Sequence, residues 1–169
     1  MHLLKRLWRH GLTTSAAGRR AFPPATLREI QTTIAGGERV HRAEIKVIIE
    51  AALDMMDVLE KKSARERARE LFSEYRIWDT EENSGVLLYV NLADRKVEII
   101  ADRGVNTLLT RTDWHAVCAM MTSGFASSIF HDSVIAALNE LNRLLQQHAP
   151  SHSATDSGGN DLSDTPVML

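Results

Sequence analysis

A single cysteine, Cys118, stands in 169 residues, so no intramolecular disulfide can form and the chain suits a reducing compartment. No apolar run reaches the roughly 18 residues that would cross a bilayer. No continuous apolar core followed by a small-residue cleavage site opens the chain, which argues against a signal peptide. The formal charge of −2 does not suit a general nucleic-acid binder. Catalytic signatures are missing too. There is no Gly-x-Ser-x-Gly elbow and no Asp-x-Asp phosphotransfer motif. No lysine and hydroxyl follow Gly36-Gly37 as a phosphate loop requires. Cys118 lacks the arginine of a phosphate-cradling loop and reads as a core thiol. The seven histidines form no pair at metal-ligand spacing on a helix, leaving His41 and His115 as the two inside the fold region to follow.

The charge that is present is unevenly spread. Lys5, Arg6, Arg9, Arg19 and Arg20 all precede the first acid, Glu29, and no cation follows Arg143. A basic head and an acidic tail therefore flank a mixed middle. In the head, residues 1–22, the apolar Leu3, Leu4, Leu7, Trp8 and Leu12 recur at helical spacing with Lys5, Arg6 and Arg9 opposite. Two readings stay open: an interfacial helix on an anionic membrane, or a helix packed on its own domain or a partner with its basic face in water.

The middle, residues 23–149, reads as one α/β domain. Pro23-Pro24 opens a helix through Leu27, Ile30 and Ile34, ended by Gly36-Gly37. Ala43 to Glu50 alternates as a strand. Residues 52–62 suit a loop with a short turn of helix. Ser63 and Glu66 form a capping box for a helix to about Tyr75, presenting Ala68, Leu71 and Phe72. Val86–Val90 and Val97–Ala101 read as a hairpin at the centre of the sheet, turning over 91–95. With the helix between them, strands 43–50 and 86–90 must be parallel. The expected architecture is a compact three-layer-like sandwich, a mixed sheet of parallel βαβ plus antiparallel hairpin, covered by helices. Thr112 caps a helix broken at Gly124, and Asp132 or Ser133 caps the last helix. Residues 151–169, rich in Ser, Asp and Gly, read as a disordered tail.

That topology allows one inference about chemistry. Hairpin pairing sets Asp102 beside Gly85, so the loop 78–83 lies against 102–104, and Asp79, Glu81, Glu82 and Asp102 can converge. Oxygen ligands of this kind suit Ca²⁺ or Mg²⁺. The alternative is four solvated loop acids.

The block Asn83-Ser84-Gly85-Val86-Leu87-Leu88, followed by Asp94-Arg95-Lys96-Val97-Glu98-Ile99 and Gly104, resembles the TPM domain, the thylakoid-lumen phosphatase-like family. The likeness spans about residues 27–147, with Phe125 preceding the final helix. It is of the solo bacterial type without signal peptide or anchor, which points to the cytoplasm, peripheral on the inner membrane at most. Asn83, Gly85, Asp94, Arg95 and Gly104 carry the motif. Two places depart from it: Asp102-Arg103-Gly104 replaces a Gly-x-Gly, and Ser128-Ile129-Phe130 replaces a Gly-Asp-aromatic. The resemblance implies either a non-catalytic module for assembly with a protein partner or a divalent-metal-dependent phosphatase acting on phosphate esters. No nucleophile is visible for the second.

Overall fold

Three runs of β-branched and aliphatic residues build the sheet: β1 (Glu44–Glu50), β2 (Gly85–Asn91) and β3 (Lys96–Ala101). The computed structural model describes residues 2–151 and 161–169. β1 and β2 run parallel, with Val47 opposite Leu88, and β2 and β3 run antiparallel, with Val86 opposite Ala101. A fourth strand, β4 (Val167–Met168), lies parallel to β1, giving the order β3-β2-β1-β4. The centre is thus β2 with β1. The second hairpin strand sits at an edge, because the parallel crossover places β1 on the other side of β2.

Alternation along the strands divides two apolar layers. Ile45, Val47, Ile49, Val86, Leu88, Val90, Val97 and Ile99 face one way. They meet α3 (Pro24–Glu38), α7 (Arg111–Ala126) and α8 (Phe130–His148), which bring Ile30, Ile34, Val117, Met121, Leu138 and Leu141. Ile48, Leu87 and Tyr89 face the other way, onto Ala68 and Leu71 of α5 (Ala64–Glu74). The result is the expected α/β sandwich around a mixed sheet. Tyr89 donates its hydroxyl proton to Glu50, which also takes a two-nitrogen contact from Arg67 at 3.0–3.1 Å. That satisfies a carboxylate that the sheet buries.

Local signals decide most helix starts. The Ser63–Glu66 box is present. The cap of α7 lies two residues before the expected Thr112, because Thr110 and Asp113 make the reciprocal box. It also runs past Gly124 to Ala126. α8 begins at Phe130 with no side-chain cap. α3 continues through Gly36-Gly37 to Glu38. A Cβ on Gly37 would lie 2.3 Å from the Asn142 side chain, so the glycine lets two helices approach rather than ending one.

The two ends differ most from expectation. The head forms two helices, α1 (His2–Leu12) and α2 (Ser15–Ala21), separated where Thr14 caps the second. Of the tail, residues 152–160 lie outside the described residues, but 161–169 are docked rather than disordered. Lys46 Nζ donates to the carbonyls of Ser163 (2.6 Å) and Thr165 (2.9 Å), and Leu162 is buried. A half-apolar segment with Pro166 and Val167 finds an open strand edge and a buried ammonium needing acceptors, which composition alone did not reveal. Between β1 and α5 lies the short α4 (Met55–Leu59), and α6 (Arg103–Asn106) follows β3.

Candidate functional site

Hairpin pairing does bring the two acidic loops together. Asp102 N donates to Gly85 O at 2.9 Å, and Gly104 N donates to Asn83 O at 2.9 Å. The carboxylates nevertheless go separate ways. Asp79 pairs with Arg76 at 3.5 Å and Glu82 with Arg42 at 2.7 Å. Asp102 accepts from Arg103 N at 2.6 Å as the cap of α6. Glu81 is exposed, its amide donating to Asp161. Among the described residues no group of three or more His, Cys, Asp or Glu is placed to hold a metal ion.

The charged convergence lies at the opposite end of the hairpin, in its turn. Asp94 is one-tenth exposed and receives three side chains of α1. Arg6 reaches Oδ2 through Nε at 2.9 Å and Nη2 at 2.8 Å, and Arg9 reaches Oδ1 at 2.7 Å. His10 Nε2 lies 3.2 Å from Oδ1, while its Nδ1 accepts from Leu53 N at 2.9 Å. Arg6 also donates to Lys62 O. Burial acts to raise the Asp94 carboxyl, but hydrogen bonds from Arg6 and His10 outweigh it and hold the group below the usual carboxylate range.

This anchoring splits the apolar residues of α1, with Leu3 and Leu7 half-buried on the side of Arg6 and the buried His10. Its cations Arg6 and Arg9 hold it to the domain, while Leu4, Trp8 and Leu12, one turn apart each, are 64%, 65% and 70% exposed. Lys5 is exposed on the flank of that stripe. α1 packs against α4, whose Met55, Met56 and Leu59 are exposed too. No helix of the described residues is long and apolar enough to cross a membrane.

Two residues noted in the sequence are structural. Burial, then the charge of Glu98, pushes the Cys118 thiol up to about 11, which keeps it unreactive near neutral pH. His41 is buried with Nε2 3.1 Å from Asn142 Oδ1, and burial lowers its basicity. His115 is exposed on α7.

A TPM-domain family model matches residues 18–144. The chain belongs to the TPM-domain family. No curated protein matches it by sequence. Among solved structures, the NMR structure of the BA42 protein from the psychrophilic bacterium Bizionia argentinensis aligns with a TM-score of 0.69 and 20% identity, covering 86% of this chain and 93% of that one. At that identity the likeness speaks for the fold.

The TPM motif residues now have physical roles. Asn83 takes a left-handed backbone (φ 53°) where the chain enters β2, and Arg95 another (φ 51°) in the turn that leads into β3. A Cβ on Gly85 would fall 1.8 Å from Ile77 O, so only glycine lets β2 start there. Asp94 is the anchor for α1, and Gly104 carries the amide that ties the two acidic loops. The turn acid was legible in the sequence, but its partners Arg6, Arg9 and His10 lie over 80 residues away, with no local spacing to betray the pairing.

Proposed function

We propose that this TPM-domain protein is a non-catalytic interaction module that sits on the cytoplasmic face of an anionic membrane through α1. One observation carries the reading: Asp94 fixes α1 with its apolar stripe Leu4-Trp8-Leu12 turned to water. Lone exposed leucines are ordinary, whereas three apolar side chains aligned on a helix held by ion pairs suit an occupant. Charge complementarity favours an anionic bilayer as that occupant. Lys5 flanks the stripe, Arg9, Arg19 and Arg20 follow, and no acid precedes Glu29. Each such cation contributes about 1 kcal/mol near an anionic surface, and each buried apolar side chain about 1.5–3 kcal/mol, which suits reversible attachment. The free Cys118 fits the reducing side of the membrane.

The test is co-sedimentation of the full chain with phosphatidylcholine vesicles containing rising amounts of phosphatidylglycerol. Binding should rise with anionic lipid, fall with salt and blue-shift Trp fluorescence. The exposed triple variant Leu4→Gln, Trp8→Gln, Leu12→Gln should lose it without unfolding. Equal sedimentation of that variant would refute the reading.

A second reading, a divalent-metal-dependent phosphatase, draws on the Gly104–Asn83 tie that sets Asp102 beside the Asp79–Asn83 loop. Turnover of a generic phosphate ester that requires added Mg²⁺ or Ca²⁺, and is lost in Asp102→Asn, would favour it.

A further inference from the structure

Beside α1 and α2 opens a cleft of about 1000 Å³, and three of the residues lining it are Arg9, Arg20 and Arg95. They come from three places: α1, α2 and the turn of the hairpin. Arg9 is engaged by Asp94. Arg20 and Arg95 are exposed and make no ion pair among the described residues. Arg95 makes one long contact, 3.4 Å to the Ala126 carbonyl. The carboxylate lining the cleft, Asp132, is 81% exposed at its side chain and stands 3.8 Å from His131. His131 is also 3.5 Å from Glu29 and shares a 3.0 Å hydrogen bond with Thr26.

The backbone adds to this charge. Pro23 and Thr26 bring the start of α3 to the cleft, and Ile129 and Phe130 bring the start of α8. Both helices are long, 15 and 19 residues, and neither has a side chain capping its first turn. Other helices of the chain receive Thr14, Ser63 or Thr110 at that place. Two helix N-termini therefore line the same cleft as the arginines, α3 offering the N–H groups that follow Pro24 and α8 those of a first turn that also holds Asp132. Where the family resemblance leads one to expect an acid, residue 129 is isoleucine, which leaves Asp132, largely turned to solvent, as the carboxylate lining the cleft among the described residues.

We propose that this cleft binds a phosphate group directly, without a metal, as part of a small phosphorylated molecule or a phospholipid head. Donors approach from several directions, two guanidinium forks and two helix ends, which suits a tetrahedral dianion better than a planar carboxylate. The volume beyond the anion is left for whatever carries it. Arg9 and Arg20 belong to the head of the chain, so this site depends on α1 and α2 being docked but not on their contact with a bilayer.

The experiment titrates the full chain with inorganic pyrophosphate and with glycerol phosphate at low ionic strength, followed by ¹⁵N NMR and calorimetry. Saturable shifts should centre on Arg20, Arg95 and residues 129–132. Arg20→Gln with Arg95→Gln should weaken binding about tenfold or more, while Arg39→Gln with Arg111→Gln, an equal loss of charge outside the cleft, should leave it within about twofold. Vesicles of phosphatidylcholine with phosphatidic acid, offered to the Leu4→Gln, Trp8→Gln, Leu12→Gln variant, separate the sources. Binding to these vesicles that survives in this variant and falls with the arginines assigns the lipid head, and binding of the soluble probes alone assigns a free phosphate. Retention of soluble binding in the stripe variant also keeps this site distinct from the membrane reading if that one fails. No saturable shift with any probe, or shifts indifferent to Arg20 and Arg95, would overturn the proposal.

Discussion

Replacing Asp94 by alanine removes the group on which Arg6, Arg9 and His10 converge, and the structure sets the scale of the loss. Arg9 is more than half exposed, and pairs of that kind are worth about 0–1 kcal/mol. Arg6 is 18% exposed and gives two charge-assisted contacts to Oδ2, a bond class worth about 1.5–3 kcal/mol. The His10 ring is fully buried and would be left beside an empty site. Breaking a wholly buried pair costs about 3–5 kcal/mol, but α1 can swing out and hydrate its arginines, so about 2–4 kcal/mol of docking free energy is the expected loss. Native-state amide exchange reads it directly. Protection of the α1 amides should fall by roughly 30- to 1000-fold, while that of β2 changes far less. Asp94→Asn should lie between, since its amide oxygen still accepts. The pH dependence has a defined sign. The docked carboxyl titrates below the ordinary value of 3.8, so the anchor is at full strength above that value and weakens as pH falls through the docked pKa. Unchanged α1 exchange in Asp94→Ala, or equal losses in α1 and β2, would refute the reasoning.

Two further outcomes are expected. Burial, with the charges of Glu44 and Asp164 adding to it against a hydrogen bond from Ile45 N, pushes the Glu38 carboxyl from 4.5 up to about 8. Between those values the folded chain keeps a proton that the unfolded chain has lost, so melting temperature should decline as pH rises through this window and level off above it. Glu38→Gln should make the decline shallower, and an identical slope would refute the assignment. Gly85→Ala should abolish cooperative unfolding or lower the denaturation midpoint severely, because its Cβ would meet the Ile77 carbonyl; an unaltered midpoint would show that β2 begins elsewhere.

Elements whose stability is local were legible in the residues alone. The Ser63–Glu66 box, the β-branched runs of β1 and β3, and the Asp102–Gly85 pairing across the hairpin follow from spacing and from turn geometry. The meeting of the loops 79–83 and 102–104 followed from the same register. What those loops do with their carboxylates did not, since Arg42 and Arg76 take two of them and Asp102 caps a helix. Periodicity assigned the head an apolar and a basic face, but each is divided in the fold, with Arg6 drawn in by Asp94 while Leu4, Trp8 and Leu12 stay outside, and nothing local couples residue 6 to residue 94. Residues 161–169 depart from expectation for a similar reason: Ser and Asp suggest disorder, yet Lys46 and the free edge of β1 supply their partners only once the sheet exists. The arginine cleft is likewise a product of assembly. Residues 9, 20, 95 and 129–132 share no motif, and packing of α2, α3 and α8 around the hairpin turn is what brings their charges together.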